Sequence, residues 1–186
     1  MVQKNSKNTE LEIILNLLNK GRNHIRGISI DIGITHTTVL RKAHRLVNEG
    51  VLDRKTEGRN QTYFLKKTVK SANYIYMAEN YKTNKLLNKY KDLNIILKEV
   101  AQAAKSELIL LFGSYARFQA KNDSDIDIFI ETRDKSMKQR LKIISNKINL
   151  KTGRFDVAND LIKEIIKNHV IIKGVEKFYE KTKFFE

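Results

Sequence analysis

Two aspartates stand two residues apart in a segment that is otherwise apolar, DIDIFI over residues 125–130. Neighbouring side chains of a strand point to opposite faces, so Asp125 and Asp127 would share one face while the isoleucines share the other. Aspartate is depleted in strands, and a buried carboxylate is costly unless it is paired or bound to a metal. Two carboxylates about 7 Å apart on one face can share a divalent ion, and oxygen ligands favour Mg²⁺ or Mn²⁺ over Zn²⁺.

A second short segment lies just upstream and forms a recognisable pair with the first. Residues 113–117 read GSYAR, and residues 124–128 read SDIDI. This pair resembles the GSxAR and SDxDh motifs of the polymerase-β-like nucleotidyltransferase superfamily, in its minimal branch, over about residues 93–186. The resemblance implies a mixed sheet flanked by helices and the transfer of a nucleoside monophosphate, with adenylyl transfer from ATP as the first expectation.

The resemblance also implies roles for individual residues. Gly113 would let the backbone approach a triphosphate at the start of a helix, Ser114 would donate to a phosphate oxygen, and Arg117 would neutralise phosphate charge. Asp125 and Asp127 would hold the metal that bridges the triphosphate and neutralises charge as pyrophosphate leaves. The expected substrate is therefore ATP or another nucleoside triphosphate, with Mg²⁺ or Mn²⁺ as cofactor.

Members of this superfamily usually supply a third carboxylate from a later strand. Asp156, in the strand-like sequence FDV after a predicted amphipathic helix over residues 136–150, is our candidate for this metal ligand and for activating the incoming nucleophile. A turn or edge carboxylate is the plain alternative for that position. Asp160 is the competitor, but its place before LIKEIIKNH is typical of a helix cap. Asp123 and Ser124 are interpreted as turn and capping residues.

One residue departs from the family pattern. Phe118 follows Ala116 and Arg117 at a position where the family commonly has glycine. A ring there could narrow the nucleotide site, alter the choice of substrate, or mark a domain that has lost catalysis. The complete set of aspartates favours retained catalysis, because unpaired carboxylates would be costly to keep together.

The N-terminal third of the chain predicts three helices followed by a hairpin. Apolar residues recur at helical spacing in residues 9–20 and again in residues 35–50, with residues 24–34 between them. Two strand-like runs, at residues 51–55 and 62–65, flank a polar turn and predict a β-hairpin.

Three short sequences in this region resemble the winged helix-turn-helix family in its MarR/ArsR-like form. They are GIT at 33–35, EGVL at 49–52, and GR at 58–59 followed by Tyr63, and the resemblance covers about residues 8–68. It implies that the third helix enters the major groove of DNA. The implied contacts are Thr37, Thr38 and Arg41 near base edges, with His36 a weaker candidate, then Lys42 and Arg45 at phosphates, and Arg59 at the wing tip. A module for protein interaction or dimerisation is the alternative.

The predicted fold class is α+β, in two domains. Residues 1–69 form the predicted DNA-binding domain, residues 70–92 a helical connector rich in helix-forming residues, and residues 93–186 the predicted nucleotidyltransferase domain. Winged-helix proteins commonly pair through flanking helices to match two half-sites, so a homodimer is expected.

Composition limits the classes of protein to consider. The chain has 186 residues, a formal net charge of +15 and no cysteine. The positive charge makes nucleic acid the first candidate partner. The lack of cysteine excludes disulfides and thiolate metal sites and predicts a reducing, cytoplasmic location. No apolar run reaches the roughly 18 residues that a membrane span needs.

These observations predict a metal-dependent nucleotidyltransferase tethered to a DNA-binding domain. Minimal nucleotidyltransferases often act as antitoxins beside HEPN-type ribonuclease toxins, so by analogy a HEPN-type toxin is an expected partner and the DNA-binding half would autoregulate the operon. The alternative is a transcriptional regulator whose nucleotidyltransferase fold senses a nucleotide without turnover.

Overall fold

A computed structural model describes residues 8–58 and 60–186 of the chain. The chain divides into two compact units: one ends at Ala78 and includes Phe185 and Glu186, and the other is Glu79–Phe184. Both units contain helices and strands, which confirms the predicted α+β class. Among the described residues, no helix is long and apolar enough to cross a membrane.

Among its described residues up to Leu65, the first unit contains three helices and a three-stranded antiparallel sheet. In chain order its elements are α1 (Thr9–Lys20), β1 (Arg22–His24), α2 (Ile25–Ile32), α3 (His36–Asn48), β2 (Leu52–Glu57) and β3 (Asn60–Leu65). The strand order is β1-β3-β2. The predicted helices and hairpin are present, and the hairpin strands are longer than predicted. The strand β1 has no counterpart in the sequence prediction, because three residues carry too little periodicity to indicate a strand.

Two buried asparagines and an exposed aspartate join α1, β1 and α2. Asn23 Nδ2 donates to Asn16 Oδ1 and to Asp31 Oδ2, both at 3.0 Å, and Asn16 Nδ2 donates to the same Asp31 oxygen at 2.9 Å. Lys20 pairs with Asp31 at 2.6 Å. The hydrogen bond from Lys20 lowers the pKa of Asp31, so the carboxylate stays charged and accepts from both amides. This network holds β1 and the last turn of α2 against α1.

A long helix, α4 (Val69–Lys89), occupies most of the predicted connector. The elements that follow it in the second unit are α5 (Leu93–Ala104), β4 (Ile109–Leu111), α6 (Gly113–Ala116), β5 (Ile126–Glu131), α7 (Met137–Ile144), β6 (Ile148–Gly153), α8 (Asp160–Lys167), β7 (Val170–Lys173) and α9 (Val175–Lys181). The sheet has the order β6-β5-β4-β7. It is mixed, because β4 runs antiparallel to both neighbours whereas β5 and β6 are parallel.

The strand β5 separates two differently packed faces of this sheet. Its three isoleucines at positions 126, 128 and 130 are at most 1 % exposed and join the core that includes residues of α5 and α7. On the opposite face Phe129 packs edge-to-face on Phe155, which packs in the same way on Phe178 of α9. Asp127 alternates with the isoleucines and therefore lies on the phenylalanine face, at the entry of the strand.

Four sequence predictions in the second unit are wrong in detail. The predicted helix over residues 136–150 ends at Ile144, and its last residues form β6 instead. That segment pairs in parallel with β5, and long-range pairing overrides a weak helical pattern. The helix expected to start at Gly113 is only the single turn α6. Asp125 precedes β5 rather than lying in it, and the predicted strand around Asp156 is a loop.

Candidate active site

The two halves of the paired motif meet at Gly113 and Asp127. Phe112 N donates to the backbone oxygen of Asp127 at 2.9 Å, which joins the end of β4 to the start of β5. Gly113 has φ of +68°, in the left-handed region that favours glycine. A β-carbon at Gly113 would overlap Asp127 Oδ2 and lie 2.9 Å from its Cγ. Glycine at this position therefore allows the carboxylate to rest directly against the backbone.

The other oxygen of the same carboxylate is held by a residue from the neighbouring strand. Asn149 Nδ2 donates to Asp127 Oδ1 at 2.7 Å, and the two residues are register partners in the parallel β5–β6 pair. Sequence reasoning missed Asn149, because its segment was predicted as helix. The alternation of apolar and polar residues in INLKTG is the signal that could have indicated a strand.

Asp125 lies at the same end of β5 as Asp127. It immediately precedes the strand and is exposed, whereas Asp127 is half-buried. The parallel ladder begins at Ile126, whose backbone N–H donates to the Lys147 carbonyl at 2.9 Å. The structure thus places two carboxylates two residues apart at the strand entry.

These carboxylates fit a magnesium-type ion only in part. Asp125 and Asp127 supply oxygen donors, and Mg²⁺ in proteins is commonly held by one or two carboxylates, with phosphate oxygens and waters completing its shell. Within the described residues there is no group of three His, Cys, Asp or Glu side chains that could hold a metal ion. The donor set therefore suits an ion that arrives with a phosphorylated ligand, and it does not form an all-protein cage.

The predicted third carboxylate does not join this pair. Asp156 is exposed in the turn after β6, where its Oδ1 accepts from Ala158 N at 3.0 Å. The competitor Asp160 is the first residue of α8 and pairs with Lys163 at 2.8 Å. The cap of that helix is Asn159, whose Oδ1 accepts from the first backbone amides.

The predicted phosphate-binding residues lie on and beside α6. Ser114 is half-buried within the helix, and Arg117 is exposed at its C-terminal end. The turn closes through Arg117 N to the Gly113 carbonyl at 3.2 Å and Gln119 N to the Ser114 carbonyl at 2.9 Å. Ser124, expected to be a turn residue, accepts from Lys121 N through its hydroxyl oxygen at 2.9 Å. Gly113, Ser114 and Asp127 are thus brought together by the fold.

Phe118 adopts the backbone conformation that a glycine would favour. Its φ is +58°, and its N–H donates to the Tyr115 carbonyl at 2.9 Å. The ring is half-buried and packs on the hydrophobic core of the second unit. Phe118 therefore holds a left-handed position, where glycine is favoured, and its ring packs on the core.

The predicted DNA-contacting residues divide into two groups on α3. Thr37 and Arg41 are exposed, and Thr38 is half-buried with its hydroxyl accepting from Thr35 Oγ1 at 2.9 Å. On the neighbouring side of the helix, the predicted phosphate contacts are engaged by carboxylates: Lys42 pairs with Glu10 at 3.0 Å, and Arg45 pairs with Glu49 at 2.7 Å and with Glu10 at 3.4 Å. Arg59 lies outside the described residues.

The ion pairs weaken the case for Lys42 and Arg45 as phosphate contacts. The hydrogen bond to Glu49 raises the pKa of Arg45, and Glu10 adds to that effect. His44, by contrast, is exposed and lies one helical turn beyond Arg41, with its ring 6.5 Å from that of Tyr63. By its spacing from Thr37 and Arg41, His44 lies on the same stripe of α3 as these two residues.

Comparison with known protein families indicates the class of domain that contains this site. Residues 93–181 match the family model of the nucleotidyltransferase domain. The match runs from the first residue of α5 to the last residue of α9, so it contains the paired motif and the whole four-stranded sheet. It supports a nucleotidyl-transfer activity for this part of the chain. No curated protein matches the chain.

Proposed function

We propose that the chain is a metal-dependent nucleotidyltransferase that transfers a nucleoside monophosphate, with adenylyl transfer from ATP the first expectation, to a protein or nucleic-acid acceptor. The observation that carries this proposal is the position of Asp127, fixed between Gly113 and Asn149 at the junction of the two motif segments. A carboxylate with one oxygen hydrogen-bonded and the other resting against the backbone is preorganised, which is what a site that positions charged phosphates needs.

The proposal assigns a role to each residue of the site. Ser114 donates its hydroxyl to a phosphate oxygen, and Arg117 lies exposed where it can neutralise phosphate charge. Asp125 and Asp127 would hold Mg²⁺ or Mn²⁺, and the ion would supply charge neutralisation on the triphosphate. Asn149 fixes the orientation of Asp127. In the reaction an acceptor nucleophile forms a bond to the α-phosphorus, the bond to pyrophosphate breaks, and the acceptor proton passes to solvent or a nearby base.

Asp156 is retained only as a weaker candidate for that base. Its carboxylate is exposed and accepts from a local backbone amide, so activation by Asp156 would need this turn to open. The proposal therefore depends on Asp125 and Asp127.

For residues 1–69 we propose a winged helix-turn-helix domain that binds DNA, followed by a connector over residues 70–92 and the transferase over residues 93–186. Three helices, a two-stranded hairpin and a short third strand paired to it support this assignment. The helix α3 would enter the major groove with Thr37, Thr38 and Arg41 toward the bases. A homodimer matching two half-sites, and a HEPN-type toxin as partner, extend this proposal by analogy.

A second function is favoured by one observation. The residues of β6 that share a face with Asp127 are Asn149, Lys151 and Gly153, so this strand offers no third carboxylate. A domain that binds a metal-nucleotide complex without an activating base suits a regulator that senses the nucleotide without turnover.

Label transfer separates these two functions. The protein is incubated with α-labelled ATP, Mg²⁺ and cell lysate, beside the Asp125→Ala/Asp127→Ala variant and a matched control, Asp160→Ala/Glu176→Ala, which removes two exposed carboxylates outside the site. Label on a macromolecule with wild type and control, but not with the site variant, supports the transferase. Nucleotide binding that depends on the site carboxylates, without any transfer, supports the sensor.

A further inference from the structure

A cleft of about 520 Å³ opens beside α6 in the second unit. This volume is within the range of small-molecule sites, which is roughly 300–1,000 Å³. Its floor includes apolar side chains of α5 and β5, with Ile126 among them. Ile126 is the residue between the two motif aspartates, and its side chain points to the face opposite Asp127. The cleft and the carboxylates therefore share one end of β5.

The rim of the cleft is strongly basic. Four lysines line it, Lys89, Lys91, Lys121 and Lys147, against one acidic residue, Asp92. All four lysines are exposed. Lys147 donates to the Asn122 carbonyl at 2.8 Å, and Lys89 donates to the Phe118 carbonyl. Lys89 also lies over the Tyr90 ring, with its ammonium 5.1 Å from the ring centroid. Neither a neutral carbonyl nor a ring cancels the charge of an ammonium group, so the rim favours an anionic ligand.

Two tyrosines give the cleft an aromatic wall. Tyr90 and Tyr115 pack edge-to-face with ring centroids 4.9 Å apart, and both line the cleft. Tyr90 Oη is buried and has no hydrogen-bond partner among the described residues. Burial, followed by the proximity of Tyr90 and Asp92, raises the pKa of Tyr115, so its hydroxyl remains a neutral donor. The wall thus consists of the half-buried ring of Tyr90 packed against the buried ring of Tyr115.

We propose that this lysine-rimmed cleft binds a single-stranded nucleic acid, which is the acceptor of the nucleotidyl transfer. Proteins that bind single strands combine a basic groove for the phosphates with aromatic side chains for the bases, and the cleft presents both. A base would stack against the partly exposed ring of Tyr90, and flanking phosphates would meet Lys91 and Lys121. A strand leaving the cleft reaches the entry of β5, where Asp125 is exposed. The acceptor role depends on the transferase function proposed above.

Binding is measured first, without any nucleotide, by fluorescence anisotropy of the full chain. The probes are labelled oligonucleotides of about eight residues, as single-stranded RNA, single-stranded DNA and duplex DNA, because single-strand sites span roughly 4–16 nucleotides. The Lys91→Ala/Lys121→Ala variant is compared with Lys138→Ala/Lys142→Ala, which removes two exposed lysines of α7 outside the cleft. Arg41→Ala reports on the separate duplex site proposed on α3.

The cleft variant should lose at least about tenfold in single-strand affinity, and its salt slope should fall by about 1.4, since each phosphate contact on a single strand contributes about 0.7. The control should change neither quantity, and the cleft variant should bind duplex like wild type. An equal loss of single-strand affinity in both double variants, or no loss of affinity in either, would overturn the proposal. So would cleft-dependent binding of a poly-glutamate peptide in preference to the oligonucleotides. Comparing the RNA and DNA probes identifies the type of strand.

A second measurement keeps the two proposals separable. A thiouridine-containing strand cross-linked to the protein should label the peptides that contain Tyr90, Tyr115 or Lys121. The Asp125→Ala/Asp127→Ala variant should bind and cross-link like wild type but fail to label the strand from α-labelled ATP. Cross-links confined to the first unit would overturn the cleft as the binding site. The wild-type protein could also bind the strand in the cleft but transfer no label to any acceptor. That outcome would refute the transferase function and the acceptor role, but the cleft would remain a binding site.

Discussion

The carboxylate of Asp127 rests against the α-carbon of Gly113, and this contact explains why an aspartate can lie inside a strand of buried isoleucines. A β-carbon at Gly113 would occupy the space of Asp127 Oδ2, while Asp127 Oδ1 accepts from Asn149. The carboxylate is thus positioned by a glycine from one motif segment and an amide from the next strand. Its desolvation is limited, because the residue is only half-buried.

Gly113→Ala should displace the Asp127 carboxylate and weaken metal-nucleotide binding. The methyl group would overlap Oδ2, and φ of +68° disfavours alanine by about 1–2 kcal/mol. Gly33→Ala is the matched control, because Gly33 has φ of +66° but nothing within 4 Å of an added β-carbon. Thermal unfolding should show both variants destabilised, whereas titration with Mn²⁺-ATP should show reduced affinity only for Gly113→Ala. Equal affinity in the two variants would contradict this contact as a binding determinant.

Asn149→Asp should make the site depend on a metal for stability. The new carboxylate would lie where Asn149 Nδ2 now donates to Asp127 Oδ1 at 2.7 Å, so two like charges would face each other without a proton or cation between them. We expect a lower melting temperature without metal and recovery on adding Mn²⁺, read by thermal unfolding.

Asn149→Ala is the control for that substitution. This substitution removes the amide without adding charge. The free energy of unfolding should therefore fall by about 1 kcal/mol, and Mn²⁺ should not restore it. If Asn149→Asp and Asn149→Ala respond to Mn²⁺ alike, the amide is not at a metal-binding position.

The sequence predicts those parts of the fold whose signal is local. Apolar periodicity and flanking glycines give the helices of the first unit, and the turn residues give the hairpin. The paired motif is recognisable because Gly113, Ser114, Asp125 and Asp127 occupy fixed short spacings. The features that the sequence does not predict depend on contacts between distant segments. Asn149 joins the site only through the register of β6 on β5, and register is set by pairing rather than by local propensity.

The predicted phosphate contacts on α3 also depend on contacts between distant segments. The charges of Lys42 and Arg45 suit phosphate contacts in isolation, but Glu10 of α1 and Glu49 engage them once the helices pack. Only the packed structure shows which cations of a basic helix are compensated.

Arg41→Ala should therefore weaken DNA binding more than Lys42→Ala does. Arg41 is exposed on α3, whereas Lys42 is already paired with Glu10 at 3.0 Å. If Arg41 contacts a base edge, its loss should cost about 1–3 kcal/mol, which is roughly 5–150-fold in affinity. The measurement is anisotropy of duplex DNA from upstream of the reading frame at several salt concentrations. DNA affinity that does not depend on salt concentration, or an equal loss of affinity in the two variants, would contradict the proposed orientation of α3.

Phe118→Gly and Phe118→Ala should differ in stability but not in nucleotide binding. Both substitutions remove a ring that packs on the core, but only alanine retains the cost of a left-handed residue at φ of +58°. The glycine variant should therefore be the more stable of the two by about 1 kcal/mol in denaturant unfolding. ATP affinity should stay within about twofold of wild type in both. A large gain in affinity in both variants would show instead that the ring narrows the nucleotide site.

His169 should make the second unit lose stability below neutral pH. The ring is 7 % exposed, its Nδ1 lies 3.0–3.1 Å from the Ile165 and Ile166 carbonyls, and its Nε2 lies 3.8 Å from Glu79 Oε1. Burial, reinforced by the charge of Lys82, lowers the pKa of His169 to about 4. The unfolded chain binds this proton near pH 6.5, so folding is penalised as the pH falls from 6.5 toward 4.

Between pH 7 and pH 5 that penalty amounts to about 2 kcal/mol, at about 1.4 kcal/mol per pH step below 6.5. His169→Gln keeps a side-chain donor for the helix carbonyls but cannot titrate, so its unfolding free energy should be nearly flat over this range. The control His36→Gln alters an exposed histidine of α3 and should retain the wild-type slope. Urea unfolding of the three proteins at pH 7, 6 and 5 measures these slopes. Identical slopes in wild type and His169→Gln would show that another group, and not the buried imidazole, governs the acid sensitivity.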